Sequence, residues 1–358
     1  MKKMTLLAGA LLAVAATAGA EARIQWVDPV CDFGAIAEAD GVAEHQLQFV
    51  NTGDVPVSVT GVRTSCGCTT ASVPLDPVNP GDTAIIIVQY DPTSRPGKFE
   101  KKVTVTFSDD VPRASLRVCG VVIGTAKTLQ TRYPVDAGEM RLHASLVPFG
   151  DVKKGSAKSD FLEVYNASHD TITPVWSSLP DYVTVAPAET SVPPGQQAVY
   201  NLMFSGYRCP LYGLVTDSAY IAASPGAKPV RIDLVGVVTE DFSQLKPDDL
   251  DKAPVAALSD DRIDFGTFDP KSTLTRTFTI TNKGKNPLLV RRVYTVDKGI
   301  EVSVDKDKIK KGAHATVTVK VDPSALDSGI LNGRVTVITN DPERSNITVR
   351  AVGLPSDF

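Results

Sequence analysis

Asp32-Phe33-Gly34-Ala35-Ile36, Pro148-Phe149-Gly150-Asp151-Val152 and Asp264-Phe265-Gly266-Thr267-Phe268 are variants of one segment, and they recur at a spacing of 116 residues. A repeat of that period marks a structural unit copied along the chain. Downstream of each comes an alternating run that ends in Asn: residues 46–51, 161–166 and 277–282. The Asn opens a turn, Asn-Thr-Gly, Asn-Ala-Ser or Asn-Lys-Gly; Asn and Gly tolerate the positive φ that a tight reversal asks for. Pro80-Gly81, Pro194-Gly195 and Lys311-Gly312 then precede period-two runs at 83–90, 198–204 and 316–321. Each unit closes on a glycine: Gly120, Gly236 and Gly353.

Within the third unit, short strands are predicted at 261–265, 274–282, 288–294, 300–304, 315–321, 333–339 and 347–352. Runs such as Arg276-Thr277-Phe278-Thr279-Ile280-Thr281 alternate polar with apolar residues. One face is therefore buried and the other wet, as in an antiparallel sandwich. Seven short strands in about 100 residues without helical periodicity is the immunoglobulin-like pattern. The fold class read from the chain is all-β: three tandem seven-stranded immunoglobulin-like β-sandwiches. The expected boundaries are a signal peptide at 1–20, domains at 21–124, 141–240 and 257–358, and linkers at 125–140 and 241–256. The second linker is acidic and Pro-bearing, which predicts a semi-rigid spacer.

The whole chain has 358 residues, 42% hydrophobic and 22% charged, which is ordinary globular chemistry. Lys2 and Lys3 precede a mostly apolar run and then Ala18-Gly19-Ala20. That order is the pattern of a secretory signal peptide, so export to the periplasm or cell envelope is expected. No apolar stretch reaches the roughly 18 residues of a membrane span. With 37 basic and 41 acidic residues, the chain has no electrostatic grip on nucleic acid. Lys101-Lys102, Arg291-Arg292 and 306–311 are short basic stretches, read as solvated faces and turns.

Taken together, the Phe-Gly opening, the Asn-x-Gly turn, the Pro-Gly before an alternating strand and the closing Gly resemble the hydin-type Ig-like domain. That superfamily is related to major sperm protein and to the pilus-chaperone domain. Arg63-Thr64-Ser65-Cys66-Gly67-Cys68-Thr69 in the first repeat resembles the Cys-Gly-Cys-Thr signature of a bacterial domain family of unknown function, common in secreted Bacteroidetes proteins. The resemblance implies a scaffolding or interaction role and an exported location. It implies no reaction.

Five cysteines in an oxidising compartment are an odd number. Cys31 and Cys119 stand where the other repeats carry Val147 and Ile263, or Val235 and Val352. They are read as small core residues, with a Cys31–Cys119 disulfide as the other reading. Cys66 and Cys68 replace Asp181 and Val183, or Asp297 and Gly299, so no apolar pair is being substituted. Three readings are open: a structural kink about Gly67, a redox-active disulfide, or a soft-metal site for copper or zinc on two thiolates with His45 as third ligand. Cys209, in Tyr207-Arg208-Cys209-Pro210, is read as an exposed free thiol or an intermolecular disulfide partner.

No catalytic constellation assembles. His45, His143, His169 and His314 are scattered without metal-ligand spacing, and no nucleophile motif or phosphate-binding glycine loop is present. The leading expectation is a non-enzymatic envelope scaffold or adaptor that needs no cofactor. Its partners would be unidentified envelope proteins. The second expectation is a periplasmic thiol-redox or copper- or zinc-binding protein centred on Cys66 and Cys68.

Overall fold

A computed structural model describes residues 22–108, 111–187, 190–327 and 329–356. The signal peptide expected at 1–20 lies outside the described residues. Contacts divide the chain into two compact units, one reaching to Arg132 and taking in Pro194–Gln197, the other running from Tyr133 onward.

The first unit holds one β-sandwich. One sheet orders Ile24–Trp26, Ala43–Asn51, Thr83–Tyr90 and Thr69–Ser72. The other orders Val30–Ala37, Ala114–Ile123, Gly97–Phe107 and Val59–Thr64. The opening strand is thus broken in two, and its halves join opposite sheets. The second half pairs parallel to the closing strand, whereas the remaining pairs are antiparallel. Inward residues such as Leu47, Phe49, Ile86, Val88, Val103 and Val118 fill the space between the sheets. The second unit contains two further sandwiches of the same order, each around its own core. The immunoglobulin-like class expected from strand spacing is what folds.

The recurring Phe-Gly and the closing Gly turn out to be one device. Gly34, Gly150 and Gly266 have φ of 63°, 64° and 65°, where a side chain is strained. Each sits at a register shift in the parallel pair of opening and closing strands. A glycine at a bulge frees the backbone to kink. In the first and third sandwiches the closing glycine lies against that kink. A Cβ at Gly120 would stand 2.9 Å from the Gly34 carbonyl oxygen, and one at Gly353 would stand 3.1 Å from that of Gly266. In the second, the neighbours of Gly236 are Phe204 and Phe149.

The recurring Asn has a role that turn propensity does not capture. Asn51, Asn166 and Asn282 are 0% exposed. The Asn51 side-chain amide donates to the carbonyls of Val55 (2.7 Å) and Val78 (2.8 Å), and its Oδ1 accepts the Gly53 N–H (3.0 Å). Asn166 donates to Asp170 and Val192 and accepts from Ser168. Asn282 donates to Asn286 (2.8 Å) and Ile309 (3.1 Å) and accepts from Gly284 (2.9 Å). Neither Asn nor Gly in these turns takes positive φ. The side chain is selected as a three-point clamp between two loops. Gly284 is needed because a Cβ there would lie 2.2 Å from the Ala253 carbonyl.

Both stretches expected as linkers carry structure. Residues 125–140 hold a helix, Ala126–Arg132, and strand Val135–Ala137, which pairs with Met140–Leu142 and so extends a sheet of the second sandwich. The reason is apolar: Tyr133, Met140 and Leu142 are fully buried. The helix is tied to the first sandwich by Glu38, whose carboxylate accepts the N–H groups of Ser94 (2.8 Å) and Thr125 (2.8 Å) and the Thr128 hydroxyl (2.7 Å). Burial alone would raise the Glu38 pKa, but these donors outweigh it and hold it below the usual value. The 241–256 stretch is pinned to the third sandwich by backbone bonds from Lys283, Lys285 and Asn286 to Val255, Ala253 and Lys252. Ala256 already belongs to strand Ala256–Leu258.

Two predictions follow from these clamps. Asn282→Ala leaves buried carbonyls without a donor at about 1–3 kcal/mol each, so the third sandwich should lose about 3 kcal/mol. Hydrogen exchange across Asn346–Pro355 in the full chain reads this as faster opening, and unchanged protection would refute the clamp. Glu38 has its pKa lowered by folding, so its contribution is complete above the unfolded value of about 4.3 and fades as pH falls through the folded value. Protection of the Ser94 and Thr125 amides, corrected for intrinsic rates, should fall across that acid window in the natural chain. Glu38→Gln should lose the pH dependence.

Candidate functional site

The Cys66-Gly67-Cys68 segment joins strand Val59–Thr64 to strand Thr69–Ser72, so it crosses from one sheet to the other at the rim of the first sandwich. Its two sulfurs are bonded, with 5.3 Å between the Cα atoms. Cys66 is half-buried, Gly67 is exposed, and Cys68 is 7% exposed. The backbone is anchored on both sides. The Ser65 N–H donates to Lys102 (3.0 Å), the Thr69 N–H to Cys66 (3.4 Å) and the Asp91 N–H to Cys68 (2.9 Å). The Thr64 hydroxyl donates to the Cys66 carbonyl (3.1 Å). The hydroxyl of Thr69, a residue only 1% exposed, lies 3.5 Å from Cys66 Sγ and 3.9 Å from Cys68 Sγ.

The bonded sulfurs bear on the metal reading of this pair. A disulfide offers no thiolate to a metal. His45 is opposite Val88, and Val88 is opposite Ala71, so two strand spacings, about 10 Å, separate it from the strand that follows Cys68. Its ring packs 5.6 Å from that of Phe33. His45 is therefore not placed as a third ligand. Among the described residues no group of three His, Cys, Asp or Glu side chains is arranged to hold a metal.

Cys31 and Cys119 are both free. Cys31 lies beside Val118 in the core, whereas Cys119 lies beside Asp32. Neighbouring residues of a strand face opposite sides, so the two thiols point to opposite faces and cannot be bridged. Cys119 is thus an outer-face residue, although only 8% exposed; closing-strand alignment with Val235 and Val352 does not identify the core face. Burial, with Cys119 and Asp32 nearby, pushes the Cys31 thiol up to about 12. Cys209 is 1% exposed, which overturns its reading as a surface thiol; its turn folds inward and its sulfur lies 3.8 Å from the Leu211 carbonyl.

Arg291 and Arg292 are half-buried and bonded to other segments rather than freely solvated, contrary to the charge reading. Within the second unit Arg291 forms a two-point pair with Glu240 (2.8 and 2.9 Å) and lies over the Tyr212 ring. Arg292 donates to the carbonyls of Tyr212 (3.0 Å) and Leu214 (2.8 Å). The Tyr294 hydroxyl accepts the Leu214 N–H (2.9 Å). These residues join the second sandwich to the strand Leu288–Tyr294 of the third. The only sequence signal was a pair of adjacent cations on one alternating strand, which would place them on opposite faces.

Residues 24–122 match the model of a domain family described as a protein of unknown function (DUF1573). Residues 254–352 match the HYDIN/CFA65/VesB-like, Ig-like domain. Each match spans one sandwich, and the first takes in the Cys66–Cys68 bridge. No curated protein matches the chain. Among solved structures, a protein of unknown function from Porphyromonas gingivalis W83 is 18% identical with a TM-score of 0.48; the match covers 61% of this chain and 100% of that one. The Pseudomonas aeruginosa CupB2 chaperone is 17% identical with a TM-score of 0.23, covering 58% and 98%. The E. coli chaperone DraB is 14% identical with a TM-score of 0.26, covering 60% and 96%. These likenesses concern the fold.

The burial pattern sets an expected thiol count. A thiol of pKa about 12 is about one part in ten thousand thiolate at pH 8. An aromatic disulfide reagent should leave Cys31 and Cys209 untouched in the native full chain and react with both after denaturation. Rapid native labelling of either residue, located by peptide mass spectrometry, would contradict the burial described.

Proposed function

We propose that the protein is a non-enzymatic scaffold or adaptor of the cell envelope that binds an extended segment of a protein partner along a sheet edge. One observation carries this reading: strand Val59–Thr64 is an edge paired on one side alone, to Gly97–Phe107. An edge presents backbone donors and acceptors to any incoming strand. Its residues, Val59, Thr60, Val62 and Thr64, are largely β-branched, which suits pairing. Thr60 and Arg63 are exposed.

Several other edges are less suited. The parallel edge strands Val30–Ala37, Leu146–Lys153 and Arg262–Phe268 each carry the glycine-associated register shift in mid-strand, and such irregularities protect an edge from pairing; in Val59–Thr64 the shift falls at the start, between Val59 and Gly61, and Gly61–Thr64 pair without interruption. The edge strands Thr69–Ser72 and Val183–Ala186 have four residues each. Leu288–Tyr294 is not a free edge, since Leu288 and Leu289 pair with Ile309 and Lys308 on its outer side. Export, the envelope location and membership of the Cys-Gly-Cys-Thr family are parts of this proposal, supported by the amino-terminal pattern and by the motif at residues 66–69.

A photo-crosslinking residue at Thr60 or Arg63 in the full chain, activated in envelope extract, should give a discrete adduct. The same residue at Lys127, in the helix Ala126–Arg132, should not. An absence of adducts at both edge positions would count against the edge mode.

A further inference from the structure

We propose that the Cys66–Cys68 bridge is a thiol–disulfide exchange site, attacked at Cys66 by the thiolate of a protein dithiol. The bond does little for the fold. Its two cysteines are two positions apart, and a loop so short restricts the unfolded chain less than a 15-residue loop, for which the stabilisation is about 3 kcal/mol. The flanking strands are held independently by backbone bonds from Ser65, Thr69 and Asp91, so the sulfurs can part while the sheet pairing stays.

Access is one-sided. Cys66 is half-buried, and the segment turns outward at exposed Gly67, where an added Cβ would meet nothing within 4 Å. Cys68 lies behind, 7% exposed. An incoming sulfur therefore reaches Cys66 first, and Cys68 is the leaving group. The Thr69 hydroxyl lies 3.5 Å from Cys66 Sγ and 3.9 Å from Cys68 Sγ, within reach of each sulfur as it departs in turn. The chain's remaining thiols, Cys31, Cys119 and Cys209, are buried.

The exchange balances in two steps. The partner's first thiolate bonds to Cys66 Sγ as the Cys66–Cys68 bond breaks, and Cys68 keeps the electron pair and takes a proton from water. The partner's second thiolate then attacks its own bound sulfur, and Cys66 leaves with its electron pair and is protonated. Two electrons pass to this chain, which ends as a dithiol, and the partner ends as a disulfide. The reverse sequence reduces a partner disulfide to a dithiol and re-forms the Cys66–Cys68 bond.

Dithiothreitol is the probe for the first test, on the full chain. It should expose two new thiols, counted by the gel shift of a polymer-linked maleimide, while the near-UV circular dichroism of the folded chain is unchanged. Oxidised glutathione is the second probe, on single variants whose folded state is checked by the same signal. Cys68→Ser, which keeps the accessible Cys66, should form its mixed disulfide at least about tenfold faster than Cys66→Ser, which keeps Cys68. Thiols that appear only as the near-UV signal is lost, or equal rates in the two variants, would overturn the proposal.

Discussion

An asparagine side chain with no exposure to water must meet its hydrogen-bonding capacity inside the protein or cost the fold several kcal/mol. Asn51, Asn166 and Asn282 meet it in the same way. Each reaches from the end of one strand to the loop that follows it and to the segment before the next long strand of its sheet. The backbone joins in as well, since the Asn51 carbonyl accepts the Gly81 N–H and the Asn282 carbonyl accepts the Gly312 N–H. The Asn corner and the Pro-Gly or Lys-Gly corner are therefore one assembly. Strand register and the placement of both loops depend on it, because a slip of one residue would turn the alternating apolar face outward.

With that corner fixed, the opposite rim can vary. The sequence stretch after the clamp carries Cys66 and Cys68 in the first sandwich and Asp297 and Gly299 in the third. Asp297 accepts the Arg334 N–H (2.6 Å) across to a neighbouring strand. The first sandwich places a covalent bond at this level of the chain instead. A site that differs between copies while the frame persists is where a chain of repeated sandwiches can acquire chemistry without losing its fold.

The charged residues divide on the same principle. Arg291 and Glu240 lie far apart in sequence but form a two-point pair where two sandwiches of one unit meet. Glu38 gathers donors from two loops and a helix. A charge run looks the same in a sequence whether it faces water or a partner carboxylate, because the difference lies in what another segment brings to it.

By itself the sequence determined the class of fold, the tandem copies and the position of the unusual motif. These follow from local physics: period-two alternation, glycines at the bulge and turn, and a repeat register that exposes Cys66-Gly67-Cys68 as a departure. The meaning of the recurring Asn was hidden, since a residue suited to turns and a residue suited to a buried clamp are the same residue. Tertiary structure alone decided that Cys31 and Cys119 face opposite sides, that Cys209 is buried, that His45 stands apart from the sulfurs and that the supposed linkers pack. Each depends on which segment lies across from which, and that is set by pairing register and burial over long sequence separations.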